Sequence, residues 1–271
     1  MIQGRENPQD TKLKARLETV RHRIAVMSGK GGVGKSSISV NLATALAAAS
    51  QRVGLIDTDI HGPNLPLMLG LDNERFESAG EDQQEIIPIA LGDNLKVASV
   101  ANIGYDPGTA LIWRGPMKLG LIKQFLADII WGELDYLVID TPPGTGDEAL
   151  TIAQYIKPMT GIVIVTTPQE VALLDSRKSV DFARKSGIPV IGIIENMADG
   201  ENLKIFGYGG GERAAEELDV PFLGRVALDP RMVAAGDAGT PFLELHRDSE
   251  AGEQLQEIVN RIQQYCEVSG A

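Results

Sequence analysis

The fold of this chain is decided by residues 24–49, which read IAVMSGKGGVGKSSISVNLATALAAA. Ile24–Met27 is a short apolar run that predicts a buried β-strand, and Ser37–Ala49, rich in alanine and leucine, predicts the helix that follows. Between them, Gly29–Ser36 fits the phosphate-loop pattern G-x-x-x-x-G-K-[ST] at every fixed position. Such a turn directs backbone N–H groups at phosphate oxygens, so the stretch predicts a nucleotide-binding α/β fold.

Each residue type in this loop has a chemical task. We expect Lys35 to reach the β and γ phosphates and to act in catalysis, and the Ser36 hydroxyl to coordinate Mg²⁺. A glycine-rich turn without a ligand is the alternative, but such a turn has no need of the lysine and serine pair. The predicted ATP site comprises the loop and the serine after it: Gly29, Lys30, Gly31, Gly32, Val33, Gly34, Lys35, Ser36 and Ser37.

Apolar runs and helical patterns alternate along the rest of the chain. Continuous apolar runs are typical of parallel strands buried on both faces. The predicted strands after the first are Val53–Ile56, Leu95–Val100, Tyr136–Ile139, Ile162–Val165 and Val190–Ile194. The predicted helices are Met117–Ile130, Glu148–Ile156, Val171–Lys185 and Ala251–Tyr265. We therefore expect an α/β fold of the P-loop NTPase type, with a mostly parallel central sheet and helices on both faces.

The remaining segments are more polar. Residues 1–23 are expected to form a polar N-terminal arm with one short helix at Lys12–Val20, and residues 24–271 a single P-loop ATPase domain. Asp72–Ile87 is polar and Ala198–Gly211 is rich in glycine, so both are predicted to be surface loops.

Charge and composition exclude several classes of protein. Among 271 residues, 25 Lys and Arg stand against 37 Asp and Glu, a net charge of -12 that argues against nucleic-acid binding. The one cysteine, Cys266, cannot form an internal disulfide. No apolar run approaches the roughly 20 residues that cross a bilayer. We expect a cytoplasmic protein with neither a nucleic acid nor a membrane as partner.

Two predicted strands end in carboxylates. Tyr136–Ile139 is followed by Asp140, which is expected to hold Mg²⁺ through water, and Thr141–Gly144 then forms a turn that could sense the γ-phosphate. Val53–Ile56 is followed by Asp57-Thr58-Asp59. A carboxylate at such a place can simply cap the next helix. Asp140 and Asp59 together favour a site, because parallel strands bring both to the edge that carries the phosphate loop.

Lys30 adds a more specific signal. A loop that reads Lys-Gly-Gly-Val-Gly-Lys-Ser resembles the deviant Walker A motif of the MinD, ParA and nitrogenase-iron-protein group of ATPases. The resemblance implies a homodimer that sandwiches two nucleotides, in which Lys30 reaches the ATP of the other subunit as an arginine finger would. It also implies that Asp59 orients the attacking water.

Other stretches resemble the Mrp-type, or ApbC-like, iron–sulfur cluster carrier ATPases from about Ile24 to Val259. These stretches are Asp57–Asn64, Ile112–Met117, Asp140–Glu148, Glu195–Met197 and Pro221–Gly224. By this resemblance Asn196 contacts the adenine base, although a polar turn residue is its other interpretation. The implied function is Mg-ATP binding and hydrolysis in cluster assembly or transfer, with an iron–sulfur protein or an apoprotein client as a further partner.

The chain departs from this family at one place. Family members usually carry Cys-x-x-Cys shortly after the Asn-Met pair, so that two subunits hold a bridging [4Fe-4S] cluster with four thiolates. Here Asn196–Gly207 contains no cysteine, and Cys266 is expected to be a partly buried structural thiol on the last helix. We therefore predict that this chain alone holds no stable cluster.

A positioning ATPase of the MinD or ParA kind is the alternative function. MinD-type proteins end in a basic amphipathic helix that binds anionic lipid. The last predicted helix here carries Glu250, Glu253 and Glu257 against Arg261, so anionic lipid should repel it. The net charge of -12 likewise disfavours a ParA-type DNA surface.

Overall fold

A computed structural model describes residues 7–60, 62–80, 85–103, 115–200 and 204–269 of the chain. Within these residues the strands are β1 (Val20–Met27), β2 (Val53–Asp57), β3 (Glu77–Ala79), β4 (Glu85–Ile87), β5 (Ile89–Leu91), β6 (Leu95–Ser99), β7 (Leu134–Asp140), β8 (Gly161–Thr166), β9 (Val190–Ala198) and β10 (Phe222–Ala227). The α-helices are α1 (Pro8–Glu18), α2 (Lys35–Ala48), α3 (Leu65–Met68), α4 (Gly115–Asp128), α5 (Asp147–Tyr155), α6 (Glu170–Lys185), α7 (Gly210–Glu217), α8 (Pro230–Asp237), α9 (Phe242–Leu245) and α10 (Glu250–Ser269).

Eight of the described strands form one sheet in the order β10-β9-β8-β1-β7-β2-β6-β5. All neighbours in it are parallel except β5, which runs antiparallel to β6 at the edge. β1 lies near the middle, where Ala25 is opposite Ile139 of β7 on one side and Ile162 of β8 on the other. The loop that follows β1 therefore lies at a central point of the carboxyl edge, where open α/β sheets bind ligands.

The sheet is buried on both faces, as the continuous apolar runs predict. Ile24 and Val26 of β1 join the core on one face, whereas Ala25 and Met27 join the core on the other. Helices α2 and α10 cover the first face, and α1, α4, α5, α6 and α7 cover the second. The prediction of a mostly parallel sheet between two helical layers is confirmed.

The N-terminal residues are more integrated than the sequence suggests. The first helix lies at Pro8–Glu18 rather than Lys12–Val20, because the Asn7 side chain accepts the Gln9 N–H at its start. Leu13 and Leu17, one turn apart, are buried in the core, and β1 already begins at Val20. The described part of the predicted polar arm, residues 1–23, thus contains a helix that packs two leucines into the core, and the boundary of the arm at residue 23 stays a prediction. That residues 24–271 form one domain stays a prediction.

The stretch Asp72–Ile87 is not a loop throughout. β3 and β4 pair in an antiparallel hairpin, and Ile86 forms a bridge with Ile129 just beyond α4. Arg16 of α1 contacts the Glu85 carboxylate, so the hairpin is also tied to the first helix. Strands of three residues are too short to show a period in the sequence, which explains why the polar composition suggested a loop.

Candidate nucleotide-binding site

The glycine-rich loop joins the carboxyl end of β1 to α2. Lys35 is the first residue of α2, and the helix N-cap is Gly34, whose backbone has a left-handed φ of +83°. A side chain at Gly34 would also collide with Asn196, since a Cβ there would lie 2.1 Å from the Asn196 Nδ2 atom. The loop thus needs glycine at this position for both its backbone and its neighbour.

The Asp140 carboxylate lies beneath the loop and is almost fully buried. The Lys35 ammonium is 2.7 Å from Asp140 Oδ2, and the Ser36 hydroxyl donates to the same oxygen at 2.7 Å. A third side chain, Ser39, donates to Asp140 Oδ1 at 2.6 Å. The structure therefore brings together Lys35, Ser36 and Asp140, as the sequence predicts, and adds Ser39, which no motif indicates.

A second buried carboxylate, Asp57, faces Asp140 from the neighbouring strand β2. Burial, and then the charge of Asp140, raise the pKa of Asp57 to about 8. Asp57 accepts the N–H of Asp59 at 3.0 Å and the hydroxyl of Ser99 at 3.3 Å, so it orders the start of the following turn.

Asp59, predicted to orient water, is less buried than Asp57. Its Oδ1 atom accepts the N–H of Gly62 at 3.2 Å. The side chain lines the same cavity as Ser36, so the two predicted positions converge. His61, which the sequence places beside Asp59, lies outside the described residues, as do residues 112–114 of the Ile112–Met117 motif.

The cavity over the loop has a volume of about 390 Å³. Its lining comes from the loop, from Asp59 and Pro143, and from residues of α3 and α8, which include Leu67, Met68, Met232 and Val233. Another cavity, of about 520 Å³, lies between α5 and α6 and contains no loop residue. We place the candidate site in the smaller cavity, because of the two it is the one lined by the glycine-rich loop, whose backbone N–H groups lie beside Lys35 and Ser36.

The turn after β7 is bonded directly to the loop. The Gly144 N–H donates to the Ser28 carbonyl at 2.8 Å, and the Ser28 hydroxyl donates to the Lys30 carbonyl at 2.8 Å. The Thr141 hydroxyl donates to the Val26 carbonyl of β1 at 2.9 Å. A shift of this turn would therefore reach the backbone of Lys30, which suits a segment predicted to sense the γ-phosphate.

The chain matches the family model described as ParA, NUBPL iron-transfer P-loop NTPase, over residues 19–263. It belongs to this family. The iron–sulfur cluster carrier protein of Methanocaldococcus jannaschii is 50% identical over 260 residues, which cover 94% of this chain and 88% of that protein. The cluster carrier protein of Saccharolobus solfataricus is 44% identical, over 93% of this chain and 86% of that protein.

Solved structures agree with this assignment. A nucleotide-binding protein of Archaeoglobus fulgidus in complex with ADP is 34% identical and superposes with a TM-score of 0.73, covering 89% of this chain and 98% of that one. The cell division ATPase MinD of Pyrococcus furiosus has a TM-score of 0.69 at 22% identity, over 90% of this chain and 99% of that one. The resemblance to the cluster carrier family and the P-loop NTPase fold are thus confirmed.

Asn196 lies inside strand β9, so its interpretation as a turn residue is wrong. The side chain is 2% exposed, and its Nδ2 atom donates to the Val33 carbonyl of the phosphate loop at 2.9 Å. Asn196 therefore holds the loop in place from a strand that is distant in sequence. Its predicted contact with adenine stays a prediction.

After β9, where the family usually places its cysteines, the described residues include the carboxylate of Asp199 and no thiol. Asp199 Oδ1 accepts the N–H groups of Ile205 and Phe206, both at 2.7 Å. These backbone hydrogen bonds hold the pKa of Asp199 below its usual range. Among the described residues, no group of three or more His, Cys, Asp and Glu side chains could hold a metal ion.

Cys266 lies far from this turn in the fold. The thiol is fully buried on α10, within the core that the helix shares with α2. Burial, and then the nearby Glu267 charge, raise the pKa of Cys266 to about 12. A buried thiol that resists deprotonation does not fit the chemistry of a cluster ligand.

In the part of the chain that the structure describes, no helix combines the length and the apolar character that crossing a membrane requires. Four apolar residues of α10 pack into the protein core: Leu255, Ile258, Val259 and Ile262.

Proposed function

We propose that this NUBPL-type protein binds Mg-ATP at Gly29–Ser37 and hydrolyses it as a homodimer, in the assembly or transfer of iron–sulfur clusters. The observation that carries the proposal is the group of Lys35, Ser36 and Asp140 under a loop whose glycines face a cavity. A cation, a hydroxyl and a carboxylate in this arrangement are what phosphoryl transfer from a nucleotide requires.

ATP binding would redistribute the contacts of this group. Lys35 would exchange the Asp140 carboxylate for the β and γ phosphates, which carry more negative charge. Ser36 and Asp140 supply oxygen atoms of the kind that Mg²⁺ prefers, and a bound Mg²⁺ ion would neutralise phosphate charge. The loop amides and the N-terminus of α2 would bind the remaining phosphate oxygens.

Two charged side chains at the cavity would act in hydrolysis. Asp59 lines the cavity near Ser36 and would orient the attacking water. Lys30 is partly exposed in the loop, where a second copy of the chain could approach it. Pairing of two copies would bring Lys30 to the nucleotide of the other subunit, where it stabilises charge that develops during phosphoryl transfer.

The part played in iron–sulfur chemistry rests on the family. The relatives in M. jannaschii and S. solfataricus carry the name of iron–sulfur cluster carriers. In this chain the only thiol is buried on α10, so we propose that a partner protein supplies the ligands of any cluster that is transferred. The client would be another iron–sulfur protein or its apoprotein.

Calorimetric titration with ATP in the presence of Mg²⁺ tests nucleotide binding. Lys35→Ala should weaken binding by about 1.5 to 3 kcal/mol, because it removes a charge-assisted contact to phosphate. Lys14→Ala, at an exposed position of α1, is the matched control and should bind as the wild type does. Equal affinities of the Lys35 variant and the wild type, with both proteins folded by circular dichroism, would overturn the assignment.

A further inference from the structure

Among the described residues, three side chains contact the Asp140 carboxylate, one through an ion pair and two through hydrogen bonds. Lys35 and Ser36 contact Oδ2, and the Ser39 hydroxyl donates to Oδ1 at 2.6 Å. Lys35 and Ser36 belong to the phosphate-loop motif, whereas Ser39 lies one helical turn further along α2. Ser39 is fully buried, and it does not line the cavity over the loop.

Two of the three donors have another partner once a nucleotide is bound. In a loaded site Lys35 would turn to the phosphates, and the Ser36 oxygen would turn to the metal. Ser39 has no such alternative, because it is separated from the cavity by the first turn of α2. It is therefore the donor of the three that stays on Asp140 in the loaded site.

The Ser39 hydroxyl has one proton and two acceptors within reach. The Lys35 carbonyl, at 3.1 Å, is the ordinary acceptor for a serine on a helix. The Asp140 Oδ1 atom is closer, at 2.6 Å, so it accepts the stronger hydrogen bond from the Ser39 hydroxyl. Thr58 donates to the Asp140 backbone carbonyl at 2.7 Å, which fixes the main chain but leaves the carboxylate free to rotate.

We propose that Ser39 is the positioning residue that holds the Asp140 carboxylate in its metal-binding orientation when Lys35 has moved to the phosphates and Ser36 to the metal. The proposal rests on the proposed function, since it concerns the loaded site. Its consequence is specific: loss of the hydroxyl should weaken the contribution of Mg²⁺ to nucleotide binding and leave metal-free binding intact.

Calorimetric titration with ADP, in saturating Mg²⁺ and in EDTA, separates the contribution of Mg²⁺ from metal-free nucleotide binding. For the wild type, Mg²⁺ should strengthen ADP binding. In Ser39→Ala this strengthening should fall by roughly tenfold or more, the lower end of the range expected for a hydrogen bond to a charged group, while the affinity in EDTA stays within about twofold. Ser179→Ala is the matched control, because Ser179 is a buried helix serine whose hydroxyl donates to the Asp175 carbonyl at 3.2 Å and, among the described residues, to no carboxylate.

Ser39→Cys distinguishes positioning from packing. Cysteine fills the space of serine but is a weak donor, so it should lose the effect of Mg²⁺ as alanine does. A Cys variant that binds as the wild type does, or an Ala variant with an unchanged effect of Mg²⁺, would overturn the proposal and leave the proposed function standing. A wild-type protein that binds no ADP in Mg²⁺ would overturn the proposed function itself.

Discussion

Two glycine-rich segments of this protein join a parallel strand to a helix at the same edge of the sheet, yet they differ in what occupies their N–H groups. In the loop before α2, no side chain caps Gly34, and the glycines face a cavity. Before α7, the buried Glu195 carboxylate accepts the N–H groups of Gly209 at 2.8 Å and Gly211 at 2.5 Å. A helix N-terminus attracts anions in both places, but in the second the protein supplies its own.

The comparison shows why only one of these segments is a candidate ligand site. The first segment has a lysine, a serine and a carboxylate that can rearrange around a phosphate. The second is closed by Glu195, and by Asp199 in the turn before it. A glycine-rich strand-to-helix turn is therefore not sufficient for anion binding. Whether an external anion can bind depends on whether a side chain of the protein already occupies the N–H groups of the turn.

The largest effect is expected at the open segment. Asp59→Ala should leave ATP bound but lower kcat by about 100-fold or more, because orienting the water matters mainly in the transition state. Phosphate release from ATP, measured beside calorimetric ATP binding, checks this. Asp93→Ala, at an exposed carboxylate before β6, is the control. Hydrolysis at the wild-type rate would make Asp59 a turn residue only.

A smaller effect is expected for the other cation of the loop. Lys30→Ala should keep nucleotide bound in each subunit but weaken ATP-dependent pairing of the chains, by roughly tenfold for a charge-assisted contact. Analytical ultracentrifugation with a non-hydrolysable ATP analogue measures the association. If wild type, Lys14→Ala and Lys30→Ala all associate alike, Lys30 is a solvated loop charge.

The closed segment should respond in stability rather than in activity. Glu195→Ala leaves two N–H groups of the α7 N-terminus without their carboxylate, so the free energy of unfolding should fall by about 1 to 3 kcal/mol. Urea denaturation followed by circular dichroism measures it. Glu216→Ala, exposed on the same helix, should change stability by less than about 0.5 kcal/mol. An equal loss of unfolding free energy in both variants would show that the hydrogen bonds of Glu195 to the α7 N-terminus do not stabilise the fold.

The smallest effect is expected in the iron content of the protein after reconstitution with iron and sulfide. After anaerobic reconstitution and desalting, the homodimer should retain almost no cluster, because two buried Cys266 thiols are its entire supply and a [4Fe-4S] cluster typically takes four thiolates. Cys266→Ser should give the same iron content. One cluster retained per dimer would contradict this prediction, and its loss in Cys266→Ser would identify Cys266 as a ligand.

The sequence by itself determined those features whose backbone shape depends on residues adjacent in the chain. Gly29–Ser36 specifies its own turn, since glycines, lysine and serine occur at fixed spacing between a strand and a helix. Continuous apolar runs such as Val53–Ile56 specify parallel strands, because burial on both faces leaves no polar alternation. The shared edge of Asp59 and Asp140 followed from parallel strand direction.

Only the tertiary structure decided which distant residues complete the site. Ser39 lies in no motif, and the stretch Asp57–Asn64 gave Asp57 no role of its own. Both residues matter because α2 and β2 bring them against Asp140. The closure of α7 by Glu195 and the clamp of Asn196 on Val33 likewise join residues that are far apart in sequence. Local patterns encode local backbone shape, whereas these contacts exist only after the sheet has formed, when strand order determines which side chains meet.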